Sequence, residues 1–195
     1  MRLYAPARPA RMRLTSNAGR LRGALKLLAR SRGHGVHSPL AYSLVCDLLH
    51  PDCPYYNQAE AMSIARREGC NRRLALMVFR LACRIDCRRA SVAGEDSRAL
   101  RQILRLTRSE IDTSASQPQM AVVTSGADIG EAMRIGRLVA DSGGYMIISG
   151  LRGENRAVWN GLLEGLDHGI SLEGADIALL AAPHHLPRQH YDVWI

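Results

Sequence analysis

Three short polar turns in the second half of the chain carry residue types that can bind a ligand. Gly94–Ser97, Thr124–Asp128 and Ser149–Arg152 each follow an apolar run directly. In an open α/β sheet, ligands bind beyond the carboxyl ends of the strands, where the next helix offers N–H groups to an anion. Any strand-to-helix turn also needs small residues, so each turn alone is only a weak indication of a site.

Histidine and cysteine spacing supports little further chemistry. Five of the seven histidines fall in two groups, His34 with His37 and His184 with His185 and His190. Neighbouring side chains on a strand point to opposite faces, so the adjacent pair is poorly placed to share a metal. No Ser/His/Asp or Cys/His arrangement follows from spacing alone. We therefore expect neither a metal site nor nucleophilic catalysis.

The five cysteines are an odd number, and the chain shows no secretory signal. Both features are typical of reduced thiols in a cytoplasmic protein. Cys83 and Cys87 are four residues apart on a predicted helix, and a metal pair is the alternative interpretation. No second pair stands at zinc spacing, so buried thiols are favoured.

Hydrophobic periodicity predicts the elements that position the turns. Ser38 and Pro39 have the types of an N-cap and a first helical residue, and an apolar stripe follows as far as Pro51. Further helices are predicted over 59–67, 72–86, 96–107, 128–141 and 154–166. Strands are predicted over 90–93, 119–124 and 145–149, with a final hairpin over 169–172 and 176–182. This alternation is typical of a mostly parallel α/β sheet, with an antiparallel strand inserted at its edge.

Charge divides the chain into an arm and a body. Residues 1–46 hold nine basic side chains and no carboxylate, whereas residues 47–195 have a net charge of −1. We interpret residues 1–19 as a flexible basic arm, 20–87 as an N-terminal helical region and 88–195 as the α/β domain. Residues 1–32 are predicted to engage a polyanion or an anionic membrane surface. No apolar run reaches the length of about 18 residues typical of a transmembrane segment.

The segment Arg32–Tyr42, RGHGVHSPLAY, resembles a family of class I S-adenosylmethionine-dependent methyltransferase-like proteins of Bacteroidetes. Members carry an HGVHSPF-type motif near the N-terminus, and here Leu40 stands where Phe is usual. The far end is similar as well, with Trp159 on a helix after a strand and glycine, and with the element Arg188–Tyr191 after the hairpin.

The resemblance implies a shortened Rossmann-like sheet with an N-terminal helical lid. It implies S-adenosylmethionine as cofactor, lined by Gly94, Glu95 and Ser97, with Ser125 and Gly126 across the cleft. The first turn departs from the family pattern, because it has a single glycine. Only about a dozen residues, 108–119, separate the helix predicted over 96–107 from the next clear strand. In the family an acidic residue at the end of the second strand holds the ribose of the cofactor, so Glu110 or Asp112 would have this role only if a short strand lay in this segment.

Two functions remain open from the sequence. The first is a methyltransferase-like protein of unspecified acceptor, with a non-catalytic member slightly favoured over an active methyltransferase. The alternative is a binding module whose basic arm engages nucleic acid, anionic lipid or an acidic protein. In either case we expect Ser38 to cap its helix and His34 or His37 to turn inward at an architectural joint.

Overall fold

A computed structural model of the chain describes residues 38–49 and 53–193. The basic arm, the start of the predicted N-terminal helical region, and His34 and His37 lie outside the described residues. Within them, the chain forms an α/β structure with a six-stranded, mostly parallel mixed sheet. None of the described helices has the length and apolar character that a membrane crossing requires.

The helices and strands predicted within the described residues all form, with ends that shift by at most two residues. The helices are α1 (Pro39–Leu49), α2 (Gln58–Glu68), α3 (Arg72–Arg84), α4 (Ser97–Thr107), α5 (Ile129–Asp141) and α6 (Asn155–Glu164). The strands are β1 (Ala90–Ala93), β2 (Met120–Val123), β3 (Tyr145–Ser149), β4 (Ile170–Glu173), β5 (Ile177–Ala181) and β6 (Gln189–Asp192).

The strands lie in the order β1-β2-β3-β5-β4-β6. The first three are parallel, β5 is antiparallel to both β3 and β4, and β6 is parallel to β4. The predicted C-terminal hairpin is confirmed as β4 and β5. The expected edge position of the antiparallel strand is wrong, because β5 lies inside the sheet with β4 and β6 beyond it. Strand β6 was not predicted, since its sequence is polar and too short to show a period.

Each face of the sheet has its own apolar core. One face packs against α1, α2, α3 and α4, and the opposite face packs against α5 and α6. The first core runs without a break from Leu44 in α1 to Leu179 in β5, across the predicted domain limit at residue 87. The N-terminal helices are therefore a layer that shares the core of the sheet.

Local signals in the sequence explain where these helices begin. The Ser38 hydroxyl accepts a bond from the Ala41 N–H at 3.4 Å, which agrees with the predicted cap. Asn71 caps α3 by accepting bonds from the N–H groups of Arg73 and Leu74 at 2.9 and 3.3 Å. Gly69 ends α2 with a φ of 74°, the left-handed conformation that favours glycine.

A buried arginine joins the three N-terminal helices. Arg80 in α3 is 8% exposed. It donates through Nη1 to the Leu48 carbonyl at the end of α1 at 2.6 Å, and through Nε to Gln58 Oε1 at the start of α2 at 2.9 Å. Burial lowers the pKa of this guanidinium below its usual value. The positive charge lies at a helix carboxyl terminus, where the helix dipole favours a cation.

Replacement of Arg80 with Met is expected to lower the free energy of unfolding by about 2–3 kcal/mol, because the Leu48 carbonyl and the Gln58 amide would stay buried without their donor. Urea denaturation followed by circular dichroism measures this difference. Arg73→Met is the matched control, since Arg73 is exposed on the same helix, and it should change stability by less than about 0.5 kcal/mol. Equal stability of the two variants would contradict the role assigned to Arg80.

Candidate functional site

The turns after β1, β2 and β3 lie side by side at the carboxyl edge of the sheet. This follows from the parallel register, which aligns Ala93 with Val123 and Val123 with Ile148. Four of the five predicted cofactor-binding residues thereby come together: Gly94, Glu95, Ser125 and Gly126. The fifth, Ser97, is the half-buried first residue of α4.

Hydrogen bonds tie the first two turns to each other. The Glu95 N–H donates to the Ser125 carbonyl at 2.9 Å, and the Asp96 N–H donates to the Thr124 hydroxyl oxygen at 3.3 Å. The Ser97 N–H donates to the Gly94 carbonyl at 3.2 Å. Three successive N–H groups at the start of α4 are thus already used within the protein. They are the groups that would otherwise be offered to an anionic ligand.

Thr124 is the central residue of this arrangement, and the sequence analysis missed its role. It is 1% exposed, and its hydroxyl also donates to the Ala93 carbonyl at 3.3 Å. A threonine at a strand end gives no sequence signal for such a contact, because it is also common inside strands.

The glycines in these turns make room for neighbouring turns. A Cβ on Gly94 would lie 2.6 Å from the Thr124 carbonyl oxygen and 2.7 Å from that of Ser125. A Cβ on Gly126 would lie 2.8 Å from Glu95 Cγ, and one on Gly150 would lie 2.5 Å from Ser125 Oγ. The side of each glycine on which a Cβ would stand is therefore filled by atoms of the neighbouring turn. This use of the glycines, together with the bonded N–H groups, differs from the open turn that S-adenosylmethionine would need in the expected position.

The first turn carries two neighbouring acidic side chains, Glu95 and Asp96. Burial raises the pKa of the Asp96 carboxyl, and the neighbouring Glu95 carboxylate raises it further. Burial also raises the pKa of the Cys70 thiol to about 12, with Asp96 adding to the effect. This turn can accept hydrogen bonds from hydroxyls or attract a cation, and it repels an anionic group.

The segment 108–118 contains short strand-like pairing, at the other end of β1. The Ala90 N–H donates to the Asp112 carbonyl at 2.7 Å, and the Ala115 N–H donates to the Ala90 carbonyl at 3.0 Å. Isolated bridges join Arg89 to Asp112 and Ser91 to Ser114. The Asp112 carboxylate accepts from the Ser114 N–H at 2.9 Å. Since Asp112 lies beside the amino end of β1, it is not positioned with Gly94 as a ribose-binding acid.

A second polar cluster, also missed from the sequence, lies at the end of β4. Glu173 accepts from Arg156 Nη1 at 2.5 Å and from Trp159 Nε1 at 2.7 Å, both on α6. Burial would raise the pKa of Glu173, but the bonds from Arg156 and Trp159 outweigh it and the pKa is lowered. The cluster fixes α6 to the edge of the sheet, and Trp159 is fully buried there.

A Ser-His-Asp sequence of side chains does assemble across β4 and β6. The Ser171 hydroxyl lies 2.8 Å from His190 Nδ1, and His190 Nε2 lies 3.6 Å from Asp192 Oδ1. Ser171 is only 1% exposed, and its hydroxyl also donates to the Gln189 carbonyl at 3.2 Å. A nucleophile must reach its substrate, so this group joins two strands and does not meet the geometry of nucleophilic catalysis.

Cysteine and metal chemistry is not prominent in the described part of the chain. Burial raises the pKa values of Cys83 and Cys87 to about 11, so both thiols are poor nucleophiles and poor metal ligands in this state. Among residues 38–49 and 53–193, no three His, Cys, Asp or Glu side chains lie close enough to hold a metal ion.

An open cleft lies at the opposite edge of the sheet, where the strands begin. Its volume is about 530 Å³, and Arg89, Gln119, Asp141 and Tyr145 are among its lining residues. It is therefore remote from the three turns that the sequence predicts as the site.

The close packing at Gly94 can be tested against a glycine that lacks it. Gly94→Ala is expected to lower the free energy of unfolding by roughly 1–3 kcal/mol more than Gly69→Ala. Both glycines have positive φ, 102° and 74°, but nothing lies within 4 Å of a Cβ on Gly69. Thermal or urea denaturation of the two variants provides the comparison. If both variants lost the same stability, the turns after β1 and β2 would have to be further apart than described.

Comparison with known proteins assigns no family to this chain. No protein-family model matches the chain, and no curated protein sequence matches it. The resemblance of Arg32–Tyr42 to methyltransferase-like proteins therefore rests on the motif residues alone. Functional inference has to rest on geometry and charge.

Proposed function

We propose that the protein is a non-catalytic relative of class I methyltransferases, with a shortened Rossmann-like sheet that serves as a binding scaffold. The strand order supports this proposal, because three parallel strands are followed by an antiparallel strand inserted before β4. The N-terminal layer of helices, which we expected as a lid, acts in this proposal as part of the scaffold.

The filled space at Gly94 is the observation that carries the proposal. The carbonyl groups of Thr124 and Ser125 pack against Gly94 on the side where a Cβ would stand. A cofactor at this turn would have to compete for the N–H groups of Glu95, Asp96 and Ser97, which are already bonded. Loss of these bonds would loosen the contact between the turns after β1 and β2, so cofactor binding would be coupled to a loss of stability.

The first test is isothermal titration calorimetry of the full chain with S-adenosylmethionine. We expect no heat of binding at ligand concentrations up to about 1 mM. S-adenosylhomocysteine, titrated in parallel, should behave in the same way. A dissociation constant of about 10 μM or tighter, roughly −7 kcal/mol, would overturn the proposal.

Engagement of a polyanion by the basic N-terminal segment is the second part of the proposed function. The nine basic and no acidic residues of 1–46 support it. Such an interaction releases counterions, so its affinity falls steeply as salt rises. Residues 1–32 lie outside the described structure, and the proposal rests on their composition.

Deletion of residues 1–19 removes four of these nine basic residues. We expect the truncated chain to elute from heparin at lower salt than the full chain, with a nearly unchanged thermal midpoint. The elution position and a thermal melt measure the two effects separately. Unchanged elution of the truncated chain, or binding that persists at 1 M salt, would remove this function from the arm.

A further inference from the structure

The net charge of the body, residues 47–195, is close to zero, but its positive and negative charges lie in different parts of the sequence. Residues 57–108 hold 12 arginines and five carboxylates, a net charge of +7, whereas residues 109–195 hold five arginines and 11 carboxylates, a net charge of −6. The positive part comprises α2, α3, β1 and α4, which include three of the four helices on one face of the sheet. The body therefore has a basic side of its own, independent of the arm.

Six exposed arginines define this surface, which we call the arginine face. They are Arg66, Arg67, Arg72, Arg73, Arg98 and Arg105. Within the described residues, no carboxylate lies within ion-pair distance of Arg66, Arg72, Arg73 or Arg105. Glu68 lies 3.2 Å from Arg67 and 3.7 Å from Arg98, and Glu60 is the other carboxylate on α2. Glu95 and Asp96 precede Arg98 at the start of α4, and the six arginines still outnumber these four carboxylates.

Packing of the helices brings the arginines onto one rigid surface. Arg67 Nη2 donates to Gln102 Oε1 at 3.0 Å, which joins α2 to α4. Arg98, Gln102 and Arg105 recur at helical spacing on the side of α4 opposite its buried residues. Seven residues separate the two arginines, which corresponds to about 10 Å along the helix. Arg72 and Arg73 extend the surface at the start of α3.

An exposed aromatic residue lies near Arg105, at the end of the row formed by Arg98, Gln102 and Arg105 on α4. Tyr56 is 89% exposed, and Asn57 next to it donates through Nδ2 to the Leu106 carbonyl, one residue after Arg105, at 3.5 Å. Asn57 has a φ of 61°, so the chain turns sharply there before α2. Exposed arginines followed by an exposed aromatic ring are the combination that single-stranded nucleic acids require, for phosphates and for stacked bases respectively.

We propose that the arginine face binds single-stranded nucleic acid, with the arginines on the phosphates and Tyr56 on a base. A guanidinium pairs with phosphate through two parallel hydrogen bonds, which suits an all-arginine surface. Membrane insertion needs exposed apolar side chains, and in the described residues the large exposed ones are Tyr42, Tyr56 and Ile129. The face has Tyr56 alone of these, so a lipid surface fits less well. This inference goes beyond the proposed function, since it does not depend on the arm.

The test uses the full chain and a fluorescent 20-nucleotide oligo-uridine, with polarisation measured over a range of salt concentrations. Arg98→Gln with Arg105→Gln is expected to weaken binding about tenfold or more at 100 mM salt. The slope of log affinity against log salt should fall by about 1.4, the value for two lost contacts on a single strand. Tyr56→Ala should weaken binding at least fivefold, with little change in the slope.

Arg134→Gln with Arg137→Gln is the matched control. It removes the same charge from α5, on the opposite face of the sheet, and should change affinity by less than twofold. Thermal midpoints of all variants should be similar, because the altered side chains are exposed. The inference would be overturned if the control lost as much affinity as the α4 variant, Arg98→Gln with Arg105→Gln. The loss would then be a general effect of net charge.

Two competing partners are measured in the same series. Vesicles with 30% phosphatidylserine and poly-glutamate of matched length are expected to bind more weakly than oligo-uridine and to be insensitive to Tyr56→Ala. Tighter binding of either, or an equal effect of Tyr56→Ala on a 20-base-pair duplex, would overturn the assignment to a single strand. If deletion of 1–19 abolished binding while the α4 variant bound normally, the arm would be the binding site and the arginine face would not.

Discussion

The contact between the turn after β1 and the turn after β2 is the constraint that shapes the carboxyl edge of the sheet. Gly94 has to be a glycine because the carbonyl groups of Thr124 and Ser125 occupy the space where a Cβ would stand. The Thr124 hydroxyl then completes the contact by bonding both Ala93 and Asp96. The N–H groups of Glu95 and Asp96 are bonded to the second turn in the same contact. The packing of the two turns and the use of these N–H groups therefore follow from one interaction.

Much of the fold could be predicted from the sequence, because apolar periodicity and caps are local. Ser38 begins a helix as its side chain predicts, and Tyr145–Ser149 is a strand with the predicted limits. The order of the strands depends on contacts between distant segments, so the interior position of β5 was not predicted. Strand β6 forms because its polar residues find partners on β4, such as His190 beside Ser171. No local pattern encodes that pairing.

The grouping of the three turns at one edge of the sheet could be predicted from the sequence, but their close packing could not. Parallel strands bring their carboxyl ends to one edge, which is why Gly94 and Gly126 could be grouped in advance. A glycine in a turn has two uses, to admit a ligand or to admit another part of the chain, and the sequence cannot distinguish them. Only the distances to Thr124 and Glu95 show that the second use applies here.

The charge of the body also shows that a net charge summed over the sequence can hide how the charges are distributed. Residues 47–195 have a net charge of only −1, although residues 57–108 carry +7, residues 109–195 carry −6, and Asp47 and Asp52 account for the rest. Folding separates these parts, since α2, α3 and α4 lie on one face of the sheet and α5 and α6 on the other. Mutual attraction within the chain neutralises only some of the arginines, as Glu68 does for Arg67 and Arg98. Clustered charges of one sign raise the local potential, and such a potential speeds association with anions at a rate that falls as salt rises. The excess positive charge of residues 57–108 thus lies in the same half of the sequence as the basic residues of 1–46, and the excess negative charge lies in the other half.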